Sequence, residues 1–427
     1  MKVNLFWFRR DLRLEDNTAL IAALLKSNVI PIFIFDKYIL DKIEKNDSRL
    51  SFIHLLLNSI NKSLKKINSG LITYYGYPLE VWKKIVDQYE IETVFWNKDY
   101  EPYSIKRDDS IIKLLESHNI KVKTFKDQVV FEEFEVLKKD NTPYTVFTPF
   151  KNKWLEKFKV IYGSSIKCNN KINIHNFYNH DTEIMSLKEI GFIESTLKVQ
   201  PINLKNISDY DQFRNFPYIE KNSFLGPHLR FGSISVRKCV NFALETNLTF
   251  LSELIWREFF MQILFHFPHV EFASFKSKYN KIKWLNNKQD FKKWCNGETG
   301  YPLVDAGMRQ LNATGYMHNR VRMITASFLV KHLLIDWRWG ENYFAQKLLD
   351  YELSSNNGNW QWAAGTGCDS APYFRIFNPK EQLKKYDAKF IYIKKWVDNI
   401  STSTYPEEMI DHKYARDRCL QLYKKVI

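Results

Sequence analysis

Cysteine and glycine are scarce where they would matter most in this 427-residue chain. Its five cysteines, Cys168, Cys239, Cys295, Cys368 and Cys419, are odd in number, widely spaced and never arranged as Cys-x-x-Cys. Neither a disulfide framework nor a zinc site is supported, and no metal is expected. Within residues 1–130 the only glycines are Gly70 and Gly76. No Gly-x-Gly-x-x-Gly turn can cradle a pyrophosphate there, which excludes a Rossmann dinucleotide site from that stretch. No apolar run is long enough to span a bilayer, and Val3–Phe8 already reads as a strand rather than a leader. A monomer in a reducing cytoplasm is the expectation.

Positive charge is plentiful. Sixty-three Lys and Arg oppose 48 Asp and Glu, a formal net charge of +15. The excess points to an anionic partner such as nucleic acid, although scattered surface lysines serve solubility equally well. At 45% hydrophobic residues the chain can build two cores.

The first part alternates short apolar runs (Val3–Phe8, Val29–Phe35, Leu71–Tyr75, Thr93–Trp96, Val122–Phe125) with amphipathic stretches near 17–27, 48–67, 78–89 and 104–118. That rhythm predicts a doubly wound, parallel five-stranded α/β sheet over residues 1–130. Residues 131–203 lose the rhythm and read as a long surface linker. Helical periodicity dominates 204–427, so the fold class is α/β plus all-α. Eight of the twelve tryptophans lie between Trp256 and Trp396.

Several short runs in the helical part carry chemistry. In Glu253-Leu-Ile-Trp256-Arg257-Glu258-Phe259-Phe260, a helix places Glu253, Trp256, Arg257 and Phe260 on one stripe. A carboxylate, an indole and a guanidinium suit an aromatic ligand with polar edges; the bland reading is a surface Glu253–Arg257 ion pair. In His318–Met323, Asn319, Arg322 and Met323 share a helical face while Arg320 points elsewhere. Arg322 is placed to pair with a carboxylate of Asp350-Tyr351-Glu352. Asn222-Ser223-Phe224-Leu225-Gly226, ahead of a helix, fits either a phosphate site or an ordinary N-cap. Asn356-Asn357-Gly358-Asn359-Trp360-Gln361-Trp362 is a poor choice for a helix interior and resembles the wall of a pocket for a flat, polar-edged ligand.

In order and spacing these runs, with Trp-Phe-Arg-Arg-Asp-Leu-Arg at 7–13 and Gly300–Arg309, resemble the DNA photolyase and cryptochrome family, closest to class I cyclobutane pyrimidine dimer photolyases. The resemblance implies an N-terminal α/β antenna domain and a helical, catalytic FAD-binding domain. It implies FAD contacts at Tyr210, Asn222, Ser223, Phe224, Leu225, Gly226, Arg257, Arg322, Asp350, Tyr351, Glu352 and Asn356. Two departures stand out: Asn222–Gly226 replaces the common Thr-Ser-x-Leu-Ser, and Glu352 stands where Asp is usual.

The resemblance further implies light-driven electron transfer from reduced flavin to a pyrimidine dimer flipped out of UV-damaged DNA, making the chain a deoxyribodipyrimidine photolyase. Glu253, Asn319, Met323 and Asn356 would be catalytic, with Trp256 and Trp362 stacking on the lesion. Arg214, Arg320, Arg375 and Gln382 would grip the strand. Trp360, Trp337 and Trp284 match the photoreduction relay. Enzymes of (6-4) photoproducts place His at the positions of Asn319 and Met323, which demotes that activity; a blue-light photoreceptor without repair is the runner-up, and a noncatalytic DNA-binding flavoprotein the third reading. An antenna chromophore of folate or deazaflavin/flavin type is implied without being identified, and Ser104 falls where some members carry a folate-holding Glu.

Overall fold

The computed structural model describes residues 2–169 and 172–426. Five strands, β1 (Val3–Phe8), β2 (Val29–Asp36), β3 (Ile72–Gly76), β4 (Ile91–Asn97) and β5 (Lys121–Phe125), form one parallel sheet in the order β3-β2-β1-β4-β5. Every residue of β1 and β2 is buried. Crossover helices cover both faces of such a sheet, so these strands read as unbroken apolar runs rather than alternating ones. Alternate side chains still serve opposite cores: Phe6, Phe8, Phe33 and Phe35 enter one, and Leu5, Trp7, Ile32 and Ile34 the other.

The strand order reverses beside β1, and polar side chains fill the carboxyl end of the sheet at that point. Asn97 donates to Asp11 Oδ2 at 2.6 Å and to Asn17 Oδ1 at 2.8 Å. Arg9 pairs with Asp108 at 2.5 Å, Arg10 with Asp99 at 3.2 Å and Arg13 with Asp127 at 2.7 Å. The Arg-rich run after β1 is therefore a buried ion network that holds the first unit together.

The chain forms two compact units. The first comprises Met1–Val136, Lys153–Ile202 and Phe224–Leu251; the second comprises Leu137–Asn152, Asn203–Ser223 and Ser252–Ile427. The expected boundaries at 130 and 203 do not coincide with these, because stretches between 131 and 251 are shared out between both. Nor is 131–203 a featureless linker: Phe147–Tyr162 is a 16-residue helix. Phe147, Phe150, Trp154 and Phe158 form its buried stripe at helical spacing, a period that the intervening lysines obscure.

The second unit is helical around Trp294, Tyr301, Phe328, Trp337, Phe344 and Trp360. Much of the tryptophan concentration is thus core packing. Among the described residues no helix is long and apolar enough to cross a membrane.

Candidate functional site

Four helices wall a cavity of about 330 Å³ with residues of the second unit: α1 (Leu248–His266), α2 (Asn319–Ser327), α3 (Trp337–Lys347) and α4 (Leu353–Ala364). From α1 come Glu253, Trp256, Arg257 and Phe260, the four residues of the expected stripe. From α2 come Asn319, Arg322 and Met323, while Arg320 stays outside the lining. Asp350, Tyr351 and Glu352 enter from the turn before α4, and Asn356, Trp360 and Trp362 from α4 itself. Arg214 completes the set of sequence-expected residues at the wall.

The run Asn356-Asn357-Gly358 lies inside α4, contrary to the expectation that a helix would avoid it. The physical reason is contact rather than propensity. A Cβ on Gly358 would sit 2.1 Å from the Phe260 ring, so only glycine lets α1 and α4 approach this closely. Asn357 and Gln361 turn away from the cavity. Asn357 Nδ2 donates to the Val270 carbonyl at 2.8 Å, and Gln361 Nε2 donates to Asn357 Oδ1 at 3.1 Å and to the Val270 carbonyl at 3.1 Å. Half of the polar residues in this run therefore bind the 3-10 turn Pro268–Glu271 and its neighbours.

The charges at the wall are paired in a pattern of their own. Glu253 bonds Arg214 at 2.6 Å, not Arg257 as the bland reading had it. Burial pushes the Glu253 carboxyl up, and Arg214 pulls it back down. Arg257 instead grips Glu352 with two nitrogens, Nε at 3.0 Å and an NH2 at 3.1 Å. Both side chains are nearly sealed from solvent, at 12% and 7% exposure, and such fork-to-carboxylate bonding is the strong kind. Arg322 bonds Asp350 Oδ2 at 2.9 Å and the Met317 carbonyl at 2.8 Å. The other carboxylate oxygen, Asp350 Oδ1, is buried with no hydrogen-bond partner. A buried acceptor left open at the wall of a cavity is a place for a ligand's N–H.

Asn356 is fixed from behind by Glu341, a residue the sequence reading did not single out. His318 is the N-cap of α2, accepting from Arg320 N at 3.2 Å. Burial, then Arg322 and Arg320, lower it to about 4, so it is neutral at pH 7 and is not a lining residue of the cavity.

Other expected residues fall elsewhere. Trp360 is buried and lines the cavity, its ring 6.1 Å from Trp294 and 5.0 Å from Phe344. Trp337 is buried at the start of α3, and Trp284 is half-buried with its edge against Tyr423 at 6.2 Å; neither lines the cavity. Arg320 lies over the Tyr386 ring at 4.6 Å and donates to Asn215 Oδ1 at 2.5 Å. Arg375 is exposed, and Gln382 is half-buried on the helix Pro379–Tyr386. Tyr210 starts a short helix, with the Arg214 guanidinium 5.3 Å from its ring. Asn222 and Ser223 end a segment of the second unit, whereas Phe224, Leu225 and Gly226 belong to the first. The helix Leu225–Phe231 is capped by Phe224 in a left-handed conformation (φ 52°), with no side-chain cap bond.

The family model for the FAD binding domain of DNA photolyase matches residues 250–404, which carry most of the cavity wall. The model for DNA photolyase matches residues 4–169. The deoxyribodipyrimidine photo-lyase of Vibrio cholerae is 35% identical over 99% of this chain and 99% of its own length. A crystal structure of a bacterial class III photolyase from Agrobacterium tumefaciens superposes with a TM-score of 0.89 at 31% identity, covering 100% of this chain and 98% of that one. An archaeal photolyase from Sulfolobus tokodaii, solved with two FAD molecules, gives a TM-score of 0.84 at 34% identity, covering 99% of this chain and 100% of its own.

Proposed function

Because the chain belongs to the DNA photolyase family, we propose that it splits cyclobutane pyrimidine dimers in DNA, and that the cavity of the second unit serves both the flavin and the lesion. The observation that carries this reading is the convergence of Glu253, Trp256, Asn319, Met323 and Trp362 on one wall system with the acidic residues Asp350 and Glu352. Neither Asn319 nor Met323 is a histidine, and His318 is engaged as a helix cap, which favours cyclobutane dimers over (6-4) photoproducts.

The residues present fit FAD. Asp350 Oδ1 is an unpartnered acceptor for a ring N–H, and the Arg257–Glu352 and Arg322–Asp350 pairs hold the polar edge of the pocket rigid before any ligand arrives. The amide nitrogen of Asn356 is engaged by Glu341, which leaves its carbonyl oxygen as the group offered to the cofactor. When bound, FAD supplies light-driven electron donation, the chemistry that no side chain here can perform. The protein's share is to bind, orient and exclude water. Trp256 and Trp362 give the dimer two apolar walls, and Asn319 and Glu253 give it polar contacts. The Glu253 carboxyl, raised by burial and lowered by Arg214, can donate a hydrogen bond to a lesion carbonyl that gains negative charge only in its protonated form.

Strand contacts come from Arg214, Arg320, Arg375 and Gln382 in this reading; they position the strand without reading its sequence. Extrusion of the dimer follows the general rule that enzymes acting on a base take it out of the stack. Lesion binding then weakens steeply with salt, as phosphate neutralisation requires. The experiment is light-dependent repair of a thymine-dimer oligonucleotide by purified, reduced protein beside a dark control. Recovery of thymine absorbance only under near-ultraviolet or blue light supports the proposal. Bound, reducible FAD without repair would move the weight to a photoreceptor.

A further inference from the structure

Trp256 is backed by a residue that does not touch the cavity. Phe147, in the segment Leu137–Asn152 of the second unit, stacks face to face on the indole with ring centroids 3.6 Å apart and planes 8° from parallel. Trp256 lines the cavity; Phe147 is buried behind it. Phe147 is itself held on several sides. Phe259 meets its ring edge-on at 5.9 Å, and the Lys151 ammonium lies 5.9 Å from the ring centroid. Its backbone N–H donates to Asp369 Oδ2 at 2.9 Å. Asp369 belongs to the Gly-Thr-Gly-Cys-Asp run just beyond α4.

An indole on a helix has few restraints on the tilt of its plane beyond what packs on it. Here one whole face lies on a flat ring whose own backbone is tied to Asp369, outside α1. We propose that Phe147 is a positioning residue for the lesion: it fixes the plane of Trp256, so that a flipped-out pair of pyrimidines meets a rigid wall, and Asp369 holds Phe147 in place. The inference rests on the reading of the cavity as the lesion pocket and adds the specificity element behind it. Phe147 acts only through Trp256; it touches neither lesion nor cofactor.

The test is dark binding of a fluorescently labelled thymine-dimer oligonucleotide to the full-length, flavin-loaded protein, followed by anisotropy, with the undamaged oligonucleotide in parallel. The parent is compared with F147A, F147Y, W256A and the double variant F147A/W256A. Stacking of this kind is worth roughly a two- to tenfold change in affinity. F147A therefore weakens lesion binding about two- to tenfold and leaves undamaged DNA little changed, and F147Y restores parental affinity. In the W256A background F147A costs nothing more. An equal loss with and without Trp256, or an equal loss for undamaged DNA, overturns the proposal. Should F147A fail to retain flavin, F147L, which keeps apolar bulk without the plane, carries the same comparison. Unchanged lesion affinity in W256A would instead sink the lesion-pocket reading, whereas a weak W256A beside a neutral F147A defeats this inference alone.

Discussion

The side-chain amide nitrogen of Asn356 lies 2.8 Å from Glu341 Oε1 and 3.0 Å from the Glu341 carbonyl oxygen. One residue of α3 thus holds an α4 side chain by two acceptors. The orientation of the amide that faces the cavity is set before any ligand binds.

Burial pushes the Glu341 carboxyl up to about 7, with Asn356 lowering it and Glu271 raising it. The folded state therefore holds this proton more tightly than the unfolded chain, whose carboxyl titrates near the ordinary glutamate value. Folded and unfolded forms are both protonated below about pH 4. As pH rises toward 7 the unfolded chain loses its proton first, so the parent loses stability across that window, and the loss is complete above it. E341Q keeps an acceptor for Asn356 and carries no titrating group. Its melting temperature relative to the parent should climb between about pH 4 and 7 and then level off. A difference that stays flat with pH would mean that Glu341 titrates in the folded protein as it does in the unfolded chain.

The Arg257–Glu352 fork predicts a different kind of loss. Removing one member of a nearly buried pair takes this partner from the other charge, which costs about 3–5 kcal/mol. E352A should therefore shift denaturant unfolding of the flavin-free protein by about that amount, and flavin content after purification should fall with it. Replacing both residues, as in R257M/E352L, should recover much of the stability of the flavin-free protein and none of the flavin content. Recovery of both would show that the pair has no part in holding the cofactor.

Two glycines set how closely the helices at the cavity approach. At Gly340 on α3 an added Cβ would lie 2.1 Å from Trp360 Cη2 and 2.6 Å from a Leu329 methyl. G340A must therefore push the indole of Trp360 aside, at a cost of roughly 1–3 kcal/mol. Near-ultraviolet circular dichroism should change, and photoreduction of the bound flavin should slow if Trp360 begins the relay. A parental spectrum and parental stability together would mean that the ring has room to move at no cost.

These particulars mark how far the sequence could be read. The strands were legible because two-sided burial makes them continuous apolar runs, and the α1 stripe because four unlike side chains recur at helical spacing. Pairing was not legible: Glu253 has Arg257 one turn away, yet bonds Arg214, and Arg257 reaches Glu352 instead. Helical periodicity fixes a face, while the partner comes from whichever element packs there. Phe147 and Glu341 were missed for the same reason. Each touches a pocket residue from a different element of the chain, and nothing local distinguishes it from core or surface. Asn357 and Gln361 failed in the opposite direction, since their polarity drew them into the expected site although they bind backbone carbonyls behind it.

Glu253 and Arg214 lie 2.6 Å apart. The groups placed to act on the Glu253 carboxyl are Arg214 and Tyr210, with Arg257 one turn along α1. Burial raises the carboxyl, Arg214 lowers it, and Glu253 in turn helps burial to raise the Tyr210 hydroxyl. A carboxylate beside a lesion that gains an electron would repel it, whereas the protonated acid can donate a hydrogen bond to it. Repair yield should therefore fall as pH rises through the titration of Glu253. R214A removes the group that holds the carboxyl down, so its fall must come at higher pH than in the parent; if Arg214 is also the proposed strand contact, binding weakens at every pH. E253Q, with an amide donor that does not titrate, should show no such fall, and a yield below the parental maximum. The measurement is repair yield per absorbed photon against pH at saturating oligonucleotide for the three proteins. A parental profile in R214A would show that Arg214 leaves Glu253 when DNA binds, and a yield unchanged in E253Q would remove Glu253 from the chemistry altogether.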